Sequence, residues 1–276
     1  MCITFIKTAK SSFDKYKLIL LNNRDEQLFR ATKEMHWHDG ILSGMDEQDQ
    51  VRGTWTGLNK NGKVGMMLSI TQTQESKFSS APSRGGIVNS FLKATNTSEM
   101  LEELKRNAKK YNGFQLVALE QDNFGLYNVQ TLTNQQVDEI EVCDWGDEYH
   151  VISNSPPAKP YQKAVYGKQL ITERLQHSNN MSVEEVFENL LSIATDKTQC
   201  YPDAQLQFQT QNTDEYNRPL SAIFIKYPEG VREYGTRCHT LLTISQDDHV
   251  NVLERRYLPL ESTWEDVKFE FKINRN

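Results

Sequence analysis

Long apolar runs are missing from this 276-residue chain: they stop at four residues, as at Leu18-Ile19-Leu20-Leu21. A membrane-spanning helix needs about 20, so the sequence offers none. The apolar start Cys2-Ile3-Thr4-Phe5-Ile6 is cut off by Lys7, short of the roughly 7–15 apolar residues of a signal-peptide core. Cysteine is scarce. Four in a chain of this length exclude a disulfide-dense scaffold. Glycine (14) and proline (8) are few while aromatics reach 10%, which excludes a low-complexity or disordered chain. Positive charge is not in excess: 31 basic side chains face 37 acidic ones, for a net charge of −6. Nucleic-acid binding depends on phosphate neutralisation, so no nucleic-acid partner is expected. The densest basic stretch, Lys105-Arg106-Asn107-Ala108-Lys109-Lys110, reads as a solvated helix end, where cations suit the dipole. A glycine-rich phosphate loop is absent too. What remains is a soluble, globular, cytoplasmic protein.

The pattern that is present alternates strands and helices. Residues 2–7 and 16–22 read as strands, and Lys17 to Leu21 is apolar enough on both faces for a strand buried on both sides of its sheet. Because they are close in sequence, a hairpin is their simplest pairing. Asn59-Lys60-Asn61-Gly62 marks a tight turn between strands at 53–58 and 64–70. Helices are expected over 87–94 and from a Thr97-Ser98 cap to Lys110, then strands at 114–119, 125–129 and 151–153. Two further helices follow at 161–176 and 183–195, the second opened by a Ser182/Glu185 capping box. Strands at 222–226, 236–244, 250–256 and 264–271 complete the chain. Strand clusters separated by helix pairs point to an α+β fold with layered antiparallel sheets. With no linker or repeat in view, residues 1–276 read as one domain.

Cys2 is the most informative residue. Once Met1 is removed by a methionine aminopeptidase, Cys2 carries a thiol and a free α-amine on one residue. Their reference pKa values are about 8.5 and about 7.7–8.0. That pairing supplies nucleophile and base together. If Met1 stays, the nitrogen is an amide and this chemistry is lost. Asn22-Asn23-Arg24-Asp25-Glu26 closes the buried second strand with polar groups, three of them charged. In a hairpin these residues lie near Cys2, where Arg24 would lower the thiol pKa and Asp25 would orient the α-ammonium. Asn154, in Ser153-Asn154-Ser155-Pro156, can donate to a developing oxyanion. Arg237, in Tyr234-Gly235-Thr236-Arg237, is a second candidate cation. No metal centre is expected. His36 and His38 share a strand face but lack a third ligand, Cys238 and His239 diverge along a strand, and Cys143 and Cys200 have no Cys-x-x-Cys partner.

Taken in order, Met1-Cys2-Ile3, Asn23-Arg24-Asp25-Glu26, Gly53-Thr54-Trp55, Arg84-Gly85, Tyr111-Asn112-Gly113-Phe114, Ser153-Asn154-Ser155 and Tyr234-Gly235-Thr236-Arg237 resemble the transport and Golgi organisation protein 2 family, also called the NRDE-motif family. That family is similar to the N-terminal nucleophile hydrolases, above all their choloylglycine and penicillin V acylase branch. The resemblance implies a four-layer αββα sandwich of two antiparallel sheets flanked by helices. It carries catalytic roles onto Cys2, Arg24, Asp25, Asn154 and Arg237, and ligand contacts onto Asn23, Arg24, Glu26 and Arg237. One position departs. Many relatives have Leu-Thr-Asn where this chain reads Leu68-Ser69-Ile70, and an isoleucine cannot donate to an oxyanion. Losing such a donor costs about 10²–10³ in rate.

The resemblance also implies a role. Family members are associated with moving haem out of mitochondria or storage organelles, and with acyl-coenzyme A and lipids. The expected function is therefore a haem-trafficking chaperone with haem as cargo and no required cofactor, in the cytoplasm with transient contact to mitochondrial or Golgi membranes. The alternatives are an acyl-coenzyme A binding protein and a Cys2-dependent amidase or thioesterase. Both ligands join a large apolar body to anionic groups, which arginine recognises well.

Overall fold

The computed structural model describes residues 1–274. Strands β1 (Cys2–Thr8) and β2 (Tyr16–Gln27) come first. Next are β3 (Thr32–His38), β4 (Ile41–Asp46), β5 (Thr56–Asn59) and β6 (Val64–Ser69), then helices α1 (Gly86–Lys93) and α2 (Thr97–Asn107). Strands β7 (Phe114–Gln121), β8 (Tyr127–Thr133), β9 (Val142–Trp145) and β10 (Tyr149–Ile152) follow. Helices α3 (Gln162–Leu175), α4 (Val183–Ala194), α5 (Ala204–Thr210) and α6 (Asp214–Leu220) lead into β11 (Tyr234–Ser245), β12 (His249–Leu258) and β13 (Thr263–Lys272). Contacts gather these elements into two compact units, Met1–Arg30 with Asp147–Lys272, and Ala31–Gly146 with Ile273 and Asn274. Neither unit is a contiguous half of the chain that was read as one domain.

The first unit is built on a six-stranded antiparallel sheet in the order β10-β1-β2-β11-β12-β13. β1 and β2 form the expected hairpin, its turn held by Asp14, whose Oδ2 accepts from the backbone N–H groups of Lys10 and Ser11. β2 lies between β1 and β11 and is buried from Tyr16 to Asp25, which explains why its apolar residues do not alternate with polar ones. Ile3, Phe5, Ile19, Leu21 and Leu241 pack against Ile171 and Leu175 of α3 and Val186, Leu190 and Ile193 of α4. Burial of each such side chain stabilises the unit by about 1.5–3 kcal/mol. Gly167 lets α3 approach the sheet, since a Cβ there would stand 2.7 Å from the Phe5 ring. α4 opens with the expected capping box: Ser182 N–H donates to Glu185 Oε2 (2.7 Å) and Glu185 N–H to Ser182 Oγ (3.2 Å).

The second unit carries a seven-stranded antiparallel meander, β3 to β9 in chain order. At the β5–β6 turn Asn59 Oδ1 accepts from the N–H groups of Asn61 and Lys63, and Gly62 takes φ +88°, a region that favours glycine. Helices α1 and α2 cover one face through Ile87, Val88, Phe91, Leu101 and Leu104 against Phe114, Leu116 and Leu132. The α2 cap is Asn96, one residue before the expected Thr97-Ser98: its side chain accepts from Glu99 N–H at 3.1 Å. Three of the family-like motifs meet in this unit. A Cβ on Gly53 would lie 2.1 Å from the Gly85 carbonyl carbon, so the crossing needs glycine at position 53. Thr54 N–H donates to Gly85 O (3.2 Å), and Arg84 Nη1 donates to Gly113 O (2.6 Å). Asn112 exchanges two hydrogen bonds with the Phe78 backbone. Ile70 is buried here too, with its N–H on Gly113 O at 3.0 Å.

These two antiparallel sheets with their helices bear out the α+β expectation. One strand does not form. Residues 222–226 are a loop, buried at Ala222, Ile223 and Ile225, in which only Lys226 bridges to Gly235. Ile223 and Ile225 are apolar because they enter the core, and Ile225 pairs with Thr236 instead: Thr236 Oγ1 accepts its N–H and Thr236 N–H reaches its carbonyl. The short helices α5 and α6 were not foreseen. At seven residues each, they are too brief to show a helical period.

Candidate functional site

All the residues singled out as catalytic lie in the first unit. Register places Cys2 opposite Arg24, and Arg24 opposite Cys238. Direct cross-strand partners point to the same face, so the thiol of Cys2 and the Arg24 guanidinium share one. The Cys2 backbone N–H donates to Asn154 Oδ1 at 2.7 Å, across 152 residues of sequence. The Met1 ammonium donates to Asp25 O (2.5 Å) and to the Tyr234 hydroxyl, which itself donates to Asp25 O (3.0 Å). Asp25 N–H returns a bond to Met1 O at 2.6 Å. The Asp25 carboxyl is 1% exposed; its Oδ1 accepts from Thr236 Oγ1 (2.5 Å), and its Oδ2 has no hydrogen-bond partner. Cys2, Asp25, Asn154 and the Tyr234–Thr236 motif therefore converge around the first peptide bond of the chain.

The electrostatics of this cluster are set first by burial, which favours neutral forms. Burial pushes the Cys2 thiol up, and the downward pull of the Met1 ammonium and of Arg24 does not reverse it. Burial also pulls the Met1 amine down and raises Asp25, against the opposing pull of Lys163 on Asp25. Glu26 ends lower than usual: burial raises it, but the Met1 ammonium, the Gln27 N–H and Arg24 together outweigh that. With Met1 in place, Cys2 is a protonated thiol whose nitrogen is an amide. Removing Met1 would leave the new α-amine on Asn154 Oδ1, beside its own sulfur.

Several residues make contacts that the sequence did not show. The Oδ1 of Asn154, whose amide is the expected oxyanion donor, accepts from Cys2, while its backbone carbonyl is held by Gln209 Nε2 (3.1 Å) and Tyr161 OH (3.4 Å). Arg237 sits in a β-bulge between Thr236 and Cys238 and donates to Gln27 O (3.1 Å) and Arg30 O (2.6 Å), clamping the exit of β2. Burial lowers its pKa to about 10. Asn23 is wholly buried. Its Nδ2 donates to Ala194 O (2.9 Å) and Ile223 O (3.3 Å), and its Oδ1 lies 2.7 Å from His239 Nδ1. With Nδ2 donating twice, Oδ1 must accept, so His239 carries its proton on Nδ1. Burial pushes the pKa of that imidazole down to about 3, keeping it neutral.

Lys163 was missed. It stands in the first turn of α3, fully buried, with Nζ on Ala222 O at 3.1 Å, and it is close enough to Asp25 and Cys2 to act on both. Burial lowers its pKa. The available signal was its place on the buried arc of α3, four residues before Gly167 and eight before Ile171. Phe224, Tyr257 and Trp264 were missed as well. They line a cavity of about 560 Å³ in the first unit, together with Lys197, Arg232 and Arg255. His239 enters the same wall, stacked on Trp264 at 4.8 Å between ring centroids. Tyr234 and Thr236 contribute to the cavity as well as to the Cys2 cluster. Among the described residues no group of three or more metal-ligating side chains comes together.

Residues 1–259 match the model of a family described as "Transport and Golgi organisation 2". A mouse relative named Transport and Golgi organization 2 homolog is 30% identical over 283 aligned positions, covering 99% of both chains. The human homolog is 28% identical over 99% of both. A Drosophila melanogaster Transport and Golgi organization protein 2 is 27% identical over 95% of this chain and 94% of its own. Among solved structures, the C2A mutant of conjugated bile acid hydrolase from Clostridium perfringens superposes with a TM-score of 0.50. The match covers 99% of this chain and 97% of the hydrolase at 9% identity. That likeness shows an N-terminal nucleophile hydrolase-like fold.

Proposed function

The chain belongs to the Transport and Golgi organisation 2 family, and from that premise we propose that it is a haem-trafficking chaperone that carries haem in its first unit. The observation behind this reading is the cavity of about 560 Å³, with aromatic walls and cations at Lys197, Lys226, Arg232 and Arg255. Small-molecule sites are mostly apolar, enclose a few hundred cubic ångströms and place a few polar groups to orient the ligand. The flat apolar body of haem suits Phe224, Tyr257 and Trp264, and its two carboxylates suit the cations. A carrier must release its cargo, so stacking and ion pairing without a dense ligand set agree with transport. Among the described residues no helix is long and apolar enough to cross a membrane. The proposed carrier therefore meets mitochondrial, storage-organelle or Golgi membranes transiently, from the cytoplasm. Haem titrated into the pure protein should give a saturable Soret change that Trp264→Ala weakens. No saturable change, and no transfer from haem-loaded membranes, would refute the reading.

Two other readings rest on their own observations. Lys197, Lys226 and Arg232, beside an Arg255 that Asp266 already pairs, exceed the two carboxylates of haem and favour a phosphate-bearing ligand such as acyl-coenzyme A. The protein would then bind the thioester, leave it intact, and lose affinity on Arg232→Ala. The convergence of Cys2, Asp25 and Asn154 supports an amidase or thioesterase with Cys2 as nucleophile, once Met1 is gone. Intact mass with Met1 retained, or turnover unchanged by Cys2→Ala, would rule it out.

A further inference from the structure

Met1 does not hang in solvent. Each part of it has a partner: the ammonium donates to Asp25 O at 2.5 Å and to the Tyr234 hydroxyl, and the carbonyl accepts Asp25 N–H at 2.6 Å. Its side chain packs on the cluster of Tyr161, Leu206, Leu220, Ile225, Tyr227 and Tyr234. Beside it the buried Asp25 carboxylate leaves Oδ2 without a hydrogen bond. These groups read an ammonium, a carbonyl and an unbranched apolar side chain in one piece. We propose that the space vacated when Met1 is removed is a binding subsite for an aminoacyl group, a free α-ammonium on an apolar amino acid whose carbonyl meets Asp25 N–H.

The position of the subsite relative to the thiol follows from covalent geometry. An acyl carbon on the Cys2 nitrogen and one on the Cys2 sulfur are separated by a single five-membered ring (N, Cα, Cβ, S and the acyl carbon), so the two acyl groups occupy nearly the same space. The seat of Met1 is thus next to the nucleophile and shares Tyr234 with the larger cavity. Acetylating this nitrogen removes its charge, leaves a single N–H for the two acceptors Asp25 O and the Tyr234 hydroxyl, and pushes an acyl group against them. Leaving one of two buried acceptors without its donor costs about tenfold or more in binding, and the apolar seat adds discrimination by side-chain size.

Two chains test this, one beginning at Met1 and one at Cys2, both made by cleaving an N-terminal fusion and both full length. The ligands are methioninamide, N-acetylmethioninamide and glycinamide, with binding read by calorimetry. The chain beginning at Cys2 should bind methioninamide at least about tenfold more tightly than either of the others. The chain beginning at Met1, its seat filled, should bind methioninamide at least about tenfold more weakly. Tyr234→Phe in the Cys2 chain should narrow the gap between methioninamide and its N-acetyl form. Equal affinity for those two ligands, undiminished binding to the Met1 chain, or no binding to the Cys2 chain would each overturn the proposal. None of these measurements involves haem, so the result is independent of the carrier reading.

Discussion

Replacing Asn23 should unravel the frame of the site more than its contents. The side chain is wholly buried and makes three contacts, to Ala194 O at 2.9 Å, Ile223 O at 3.3 Å and His239 Nδ1 at 2.7 Å. Asn23→Leu keeps the volume but leaves the buried His239 N–H without an acceptor. Such an orphaned group costs about 1–3 kcal/mol. The shorter bond to Ala194 O adds about 1 kcal/mol, and the long one to Ile223 O contributes less. The expected loss is therefore about 3 kcal/mol, a large part of the roughly 5–15 kcal/mol of a typical domain. Asn23→Ala adds a small cavity and should lose about 1 kcal/mol more. Urea denaturation followed by circular dichroism measures both, and an unchanged slope would show that the denatured state is unaltered. A loss below about 1 kcal/mol for Asn23→Leu would refute the argument, since it would mean that the His239 N–H had found another partner.

Other consequences can be checked directly. His239 should not titrate between pH 5 and 8 in the imidazole NMR spectrum, because burial holds its folded pKa at about 3. The neutral form is favoured on folding, so its share of stability is complete above the unfolded pKa of about 6.5 and is lost as pH falls towards 3. Lys17 and Asp248 form a buried ion pair, 2% and 3% exposed. Lys17→Met removes the cation from the buried carboxylate and should cost about 3–5 kcal/mol at pH 7, with a smaller loss when Asp248 is replaced as well. Gly53→Ala drives a methyl into the Gly85 backbone and should cost about 1–3 kcal/mol, read as a lower thermal midpoint. Iodoacetamide should label Cys2 slowly at pH 7 and faster as pH rises past the ordinary thiol range, since burial raises its pKa; rapid labelling at pH 7 would contradict this.

The seven family-like motifs illustrate how much could be read in advance. Their order along the chain identifies the family, yet they serve two ends. Gly53-Thr54-Trp55, Arg84-Gly85 and Tyr111-Asn112-Gly113-Phe114 brace one another in the second unit by backbone crossing and hydrogen bonds. The Cys2, Asn23–Glu26, Asn154 and Tyr234–Arg237 segments assemble in the first unit. Even within Asn23-Arg24-Asp25-Glu26 neighbours diverge, because strand alternation sends Asn23 to the face of His239 and Arg24 to the face of Cys2. The strand expected at 222–226 failed for a related reason: burial makes a segment apolar whether or not it is extended.

Local chemistry in the sequence was enough to set the β1–β2 hairpin and to bring residues 23–25 near Cys2, while the seven-residue connection 9–15 left the pairing of Cys2 with Arg24 to the sheet. It also set the capping box of α4 and the Gly62 turn, each satisfied within a few residues. Tertiary structure alone decided which atoms complete the site. The bond from Cys2 to Asn154 spans 152 residues, that from Met1 to Tyr234 spans 233, and that from Asn23 to His239 spans 216. No periodicity encodes such pairs. They arise because a buried polar group must find a partner wherever the fold brings one, and the partners here come from segments far apart along the chain.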